Sequence, residues 1–138
     1  MPIPHRLVAA LLIGSSGTLV MLSMLGTRWG GDWPFVIAAA IGAGASGFLY
    51  ADCLGLPGRR GLGLCLLGAI LTTVTGAAVA GLGLGIVVAM TPAGLFFGPM
   101  AVAQALLTSL PVLVTWIVTM TAAHLVMGQI RTRHLMPS

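Results

Sequence analysis

The uncharged stretch of residues 66–89 constrains the fold of this chain most strongly. It reads LLGAILTTVTGAAVAGLGLGIVVA and exceeds the roughly 20 apolar residues that a helix needs to cross a bilayer. Small residues recur at every fourth position in two adjacent rows, which are Ala69, Thr73, Ala77, Gly81, Gly85, Ala89 and Gly68, Thr72, Gly76, Ala80. Because lipid gives helices little hydrophobic reason to associate, such faces predict a helix that packs closely against other helices.

The rest of the chain is equally poor in charge. Only 6% of its 138 residues are charged, against about 25% in an average soluble domain. A soluble domain could not cover its surface with so few charged side chains. The mean hydropathy of +1.10 likewise indicates lipid as the main solvent. We therefore predict an all-α integral membrane protein, in which residues 1–138 form a single domain. Its bundle of four transmembrane helices is expected at residues 7–25, 34–54, 62–88 and 100–127.

Arginine placement predicts the orientation of this bundle. Five of the six basic residues fall on one side of it, namely Arg6, Arg59, Arg60, Arg131 and Arg133. The positive-inside rule assigns that side to the cytoplasm, so both termini are expected to be cytoplasmic. We interpret the lack of Lys and Asn as the mark of a GC-rich genome and expect a bacterial cytoplasmic membrane. Because the arginines form no continuous stripe, we expect no nucleic-acid partner.

The second predicted span repeats the small-residue pattern in the segment IGAGASG. We expect spans two and three to pack closely through a shared set of small side chains. The predicted packing residues are Gly42, Ala43, Gly44, Gly47, Gly68, Thr72, Gly76, Ala77, Gly81 and Gly85. The pattern does not distinguish packing within one chain from packing between chains.

Proline and tryptophan mark the expected loops and irregularities. Residues 91–99, TPAGLFFGP, are predicted to be an uncharged loop, because proline and glycine both break helices. Pro111 lies inside the fourth span and is expected to kink it and free the carbonyl of Leu107. Trp29 and Trp33 lie where an aromatic belt at the headgroups is expected.

Ionisable residues within or beside the spans are the candidates for chemistry, because burying them in lipid is costly. We expect Asp52 to form an ion pair with Arg59 or Arg60 at the cytoplasmic boundary, the alternative being a proton or ion relay there. His124 is the candidate ligand for a haem or chlorophyll, although no cofactor is strongly implied. No residue spacing predicts a metal site, and Cys53 and Cys65 are interpreted as small hydrophobic residues.

The sequence contains no Ser–His–Asp arrangement and no paired carboxylates, so we do not expect an enzyme. We interpret the chain as a non-catalytic accessory or scaffold subunit of a larger membrane protein complex. Its expected partners are the lipid bilayer and either other membrane subunits or copies of itself. Two alternatives stay open. One is a small homo-oligomeric channel or carrier for a neutral solute, and the other is a pigment- or haem-binding subunit.

Overall fold

The fold, seen in a computed structural model, is described for residues 3–26 and 32–135, with side chains as far as Thr132. This part of the chain is helical and contains no strand. Its helices are α1 (Ile3–Leu25), α2 (Trp33–Leu49), α3 (Gly58–Ala89), α4 (Gly94–Thr108) and α5 (Leu110–Leu135), with a short 3₁₀ turn at Ala51–Cys53. The expectations for Trp29 and for the side chain of Arg133 lie outside the described residues.

Three of these helices are long and apolar enough to cross a membrane: α1, α3 and the segment Leu110–Thr132 of α5. Only 22% of the most apolar window of each is buried within the chain, so most of its apolar surface is left for lipid. The helices α2 and α4 have 17 and 15 residues. At 1.5 Å per residue they measure about 25 and 22 Å, which is less than the ~30 Å hydrocarbon core.

The helices α1, α2, α3 and α4 each pack against the next one along the chain, and α5 returns to pack against α1. The largest buried cluster joins α1, the 3₁₀ turn, α3 and α5. Its members are Ala9, Ile13, Ala51, Leu54, Ala69, Met120, Ala123 and Met127. The core therefore lies toward the end of the bundle that carries the 3₁₀ turn.

Glycine sets the distance between α2 and α3. A Cβ atom added to Gly42 would overlap the carbonyl oxygen of Gly76, and one added to Gly76 would lie 3.1 Å from the Cα of Ala43. On the opposite side of α2, a Cβ on Gly14 of α1 would lie 3.5 Å from the Cα of Gly44. The two interfaces of α2 are thus backbone-to-backbone contacts, the packing mode typical of helices in lipid.

The two small rows of α3 serve different neighbours. Gly68 lies against Cys53 of the 3₁₀ turn and Gly76 against α2, whereas the row that contains Gly81 and Gly85 packs on α4. The bulky side of α3 points outward: Leu66, Ile70 and Val74 are 59%, 47% and 50% exposed. The two small rows of α3 therefore pack on different neighbours, and its large side chains face lipid.

The predicted second span, 34–54, is too long, because α2 ends at Leu49 and the chain then tightens into the 3₁₀ turn. The reason is a tertiary contact: Arg131 of α5 donates hydrogen bonds to the carbonyl oxygens of Ala51 and Asp52. The turn is also closed by its own backbone, because the Cys53 and Leu54 amides donate to the Tyr50 and Ala51 carbonyls three residues earlier.

The predicted loop at residues 91–99 is wrong beyond its first residues, because α4 begins at Gly94. The Thr91 hydroxyl accepts a hydrogen bond from the Ala93 amide, and Pro92 precedes the first turn, where its missing N–H costs little. Gly94 and Gly98 act as contact residues here, since their backbones meet Gly81 and Ala77 of α3. Residues interpreted from the sequence as helix breakers therefore begin α4 and form its contact with α3.

The predicted fourth span, 100–127, is divided between α4 and α5 at Ser109, which is extended with φ −122° and ψ 106°. The sequence predicts that Pro111 kinks one continuous helix, because its ring would clash with a carbonyl group of the preceding turn. Instead the chain straightens at Ser109, and Pro111 becomes the second residue of a new helix. The Ser109 carbonyl accepts the Leu113 amide at 3.0 Å, which closes the first turn of α5.

The contact between α3 and α4 can be tested with two alanine substitutions two residues apart. A Cβ on Gly81 would overlap the Gly94 carbonyl, whereas nothing lies within 4 Å of a Cβ on Gly83. We expect Gly81→Ala to lower the free energy of unfolding by about 1–3 kcal/mol through overpacking. Gly83→Ala should leave it unchanged or raise it by up to about 1 kcal/mol through helix propensity. Thermal unfolding in detergent, followed by circular dichroism, measures both, and equal effects would contradict the contact.

Candidate functional site

Polar side chains gather at one end of the bundle, around the turn that joins α2 to α3. Arg6 of α1 forms an ion pair with Asp52 at 2.5 Å, and its guanidinium lies 5.9 Å from the ring centre of Phe48. The expected partners Arg59 and Arg60 are both exposed in the first turn of α3. The predicted pairing is therefore corrected, because the 3₁₀ turn directs Asp52 toward the start of α1. We call this region, with Arg131 and His124, the polar end.

Helix α5 holds the same turn from the other side. Arg131 donates to the Asp52 carbonyl at 2.9 Å, and His124 Nδ1 accepts the Gly55 amide at 3.0 Å. Gly55 has a φ of +73° and packs directly on the backbone of Met127. A residue with a Cβ would be strained there and would collide with α5, so glycine is required.

The hydrogen bond at His124 bears on the candidate cofactor ligand. When Nδ1 accepts a hydrogen bond, the proton of the neutral ring is on Nε2, which then has no lone pair to offer a metal. Haem-ligating histidines have the opposite arrangement, in which Nδ1 donates and Nε2 binds iron. The geometry of His124 thus fits a structural hydrogen bond to the turn better than a metal bond.

No group of three or more His, Cys, Asp or Glu side chains is close enough to hold a metal within residues 3–26 and 32–132. Cys53 and Cys65 are free, partly buried thiols. The charged groups of the polar end therefore act on the turn between α2 and α3, which they hold in place.

The second feature is a cavity of about 400 Å³ within the bundle, which all five helices line. Its wall combines small residues of α3 with larger side chains of the other helices. Among the predicted packing residues, those on the wall are Ala43, Thr72, Gly76, Ala77, Gly81 and Gly85. The others, Gly42, Gly44, Gly47 and Gly68, lie in helix contacts away from it. Asp52 and His124 are not part of the wall.

The few polar groups on the wall already have partners. The Trp116 indole N–H donates to the Thr73 hydroxyl at 2.8 Å, and that hydroxyl donates to the Ala69 carbonyl at 2.7 Å. Thr72 is 1% exposed and donates to the same carbonyl at 3.0 Å. A cavity with satisfied polar groups and an apolar wall favours an apolar occupant, since a polar one would lose its hydrogen bonds to water.

The sequence analysis predicted small residues of this wall as packing positions but did not predict the cavity. The small rows of α3 are visible by periodicity, but Phe97 lies in a predicted loop, and no pattern in the first span marks Met21 and Met24 as wall residues. The depth of Trp116 in its span was the one available signal, because a buried indole N–H needs a partner.

Comparison with protein families, with curated proteins and with solved structures found no match for this chain. The class is therefore defined by the fold alone. It is an all-α protein with three helices that could span a membrane, compatible with an integral membrane protein in contact with lipid.

The role of His124 can be tested against its neighbour Leu125, which is 59% exposed. His124→Ala leaves the Gly55 amide without its acceptor, and we expect a loss of about 1–3 kcal/mol in the free energy of unfolding. Leu125→Ala should change it by less than about 0.5 kcal/mol, as exposed substitutions usually do. Thermal unfolding in detergent measures both. A visible absorption band in the purified protein that His124→Ala removes would instead support a cofactor ligand.

Proposed function

We propose that this chain is a non-catalytic subunit of a membrane protein assembly and associates through the outward face of α4. The observation that carries the proposal is Gln104, an exposed amide on an otherwise apolar helix. Its side chain makes no hydrogen bond to the described residues, and the hydrogen bond from the Thr108 hydroxyl goes to its backbone carbonyl.

An amide without a partner is costly in hydrocarbon. No residue of α4 is buried, and Met100 and Leu107 beside Gln104 are 65% and 87% exposed. Gly98, one and a half turns earlier, packs on Ala77 in the apolar stretch of α3. Gln104 therefore projects from an apolar region, where an amide is stabilised mainly by a hydrogen bond to another helix.

The same face permits close approach of that helix. Ala101 and Thr108 lie one turn before and one turn after Gln104, and both are exposed. Small residues on either side of an amide are the arrangement that brings two membrane helices close enough for an interhelical hydrogen bond. The partner is a membrane helix, from a second copy or from another subunit.

The two alternative functions have less support in the geometry. A channel for a polar solute needs hydroxyl groups that face a water path, whereas Thr72, Thr73 and Thr119 bond to carbonyl groups of their own helices. A pigment or haem site depends on His124, whose Nδ1 accepts the Gly55 amide.

The orientation of the chain in the membrane is part of the same proposal. We place the polar end, with Arg6 and Arg131, at the cytoplasmic face of a bacterial cytoplasmic membrane, following the positive-inside rule. Helix α5 then makes the fourth crossing, after α1, α2 and α3, and α4 packs on α3 ahead of it. Both termini lie inside in this arrangement.

The proposal is tested by the mass of the complex after purification in a mild detergent. We expect the native protein to elute as an assembly, and Gln104→Leu to weaken it by about 1 kcal/mol or roughly fivefold in affinity. The matched control is Gln129→Leu, which removes an exposed amide near the end of α5 and should leave the assembly intact. Elution of the native protein as a single copy without other proteins would contradict the proposal.

A further inference from the structure

We propose that the cavity holds one hydrocarbon chain of a bilayer phospholipid. This inference rests on the shape, the opening and the chemistry of the cavity. It does not depend on the proposed association through α4, although Ala101 belongs both to that face and to the wall.

The cavity is elongated along α3. Its wall runs from Thr72 to Ala89 on α3, and seventeen residues at 1.5 Å each correspond to about 25 Å. A volume of about 400 Å³ along that length leaves room for an extended hydrocarbon chain. The volume is also within the range of ~300–1,000 Å³ that is usual for ligand sites.

The cavity opens on the lipid-facing surface at the end opposite the polar end. Large side chains of the wall there are themselves exposed: Val88 by 69%, Phe97 by 65% and Phe35 by 44%. Since the outward surfaces of α1, α3 and α5 contact lipid, the opening is continuous with the acyl chains around the protein. A chain can therefore enter by its methyl end while its headgroup stays at the membrane surface.

The chemistry of the wall excludes the other simple contents. Water needs two or more polar partners in a cavity, but the Thr73 hydroxyl and the Trp116 indole are already bonded to each other. An empty space of this size beside fluid hydrocarbon would lose all the dispersion contacts of its wall. A lipid chain restores those contacts without requiring a hydrogen bond.

Flexible side chains on the wall suit a flexible occupant. Met21 and Met24 of α1 and Met120 of α5 line the cavity, and methionine adapts its shape to irregular apolar surfaces. On α3, Gly76, Gly81 and Gly85 line the cavity without a side chain that would fill it. The site therefore selects for hydrocarbon and for length rather than for one particular headgroup.

The test uses Trp116 as an internal probe. A variant with Trp29→Phe and Trp33→Phe keeps Trp116 as its one tryptophan and is reconstituted into phosphatidylcholine vesicles with bromine atoms at mid-chain, which quench indole fluorescence on contact. Two substitutions fill the cavity from different helices, Leu84→Phe and Val102→Phe. The control is Val118→Phe, which adds the same ring at a 59% exposed position on α5.

We expect strong quenching of Trp116 in the parent and the control, and about a twofold loss of quenching in each filled variant, because the added ring occupies the chain's volume. Equal quenching in filled and control proteins would overturn the proposal, because the quencher would then be lipid outside the cavity. A second set of vesicles holds unlabelled phospholipid and a brominated free fatty acid. Quenching there, without quenching by brominated phospholipid, would overturn the phospholipid assignment in favour of a fatty acid.

Discussion

The close approach of helix backbones across glycine is the constraint on which the rest of this structure depends. In lipid, apolar side chains gain little by leaving their surroundings, so association relies on dispersion contacts and short separations. The contacts of Gly42 with Gly76 and of Gly81 with Gly94 supply such separations on two sides of α3. Because the small rows face other helices, the bulky side chains of α3 are left to contact lipid.

Periodicity predicted much of this arrangement but not its partners. Four-residue spacing of small residues located the packing rows of α2 and α3 and separated them from Leu66, Ile70 and Val74. Spacing cannot say which helix a row will meet: Gly81 and Gly85 are expected from the sequence to pack on span two, whereas they pack on α4. The ion pair of Asp52 was assigned to the nearest arginines in sequence. Its partner Arg6 is 46 residues away, and only the packing of α1 against the turn brings the two together.

Helix breakers were the main source of error, because their effect depends on position in a helix. Pro92 and Gly94 look like loop residues in sequence, yet a proline before the first turn and a glycine at a helix contact are both compatible with a helix. Pro111 is compatible with a helix only near its start, so the break moves to Ser109 and creates two helices from one predicted span. At each site, local composition predicted an interruption of the helix but not which of the flanking segments would be helical.

The break at Ser109 also explains why the bundle contains a cavity. A continuous helix could follow α3 along its whole length, whereas α4 contacts α3 through Gly94 and Gly98, and α5 then packs on α1. The space between these two paths is the cavity, with Trp116 and Met120 of α5 on one side and Phe97 of α4 on another. At the opposite end, Arg6, His124 and Arg131 hold the turn between α2 and α3 with directional polar contacts. The end that carries charge is thus fixed by several polar contacts around one turn. Farther from it, single hydrogen bonds join Ser23 to Thr115 and Trp116 to Thr73, and the helices otherwise meet through apolar packing, which leaves space for a lipid chain there.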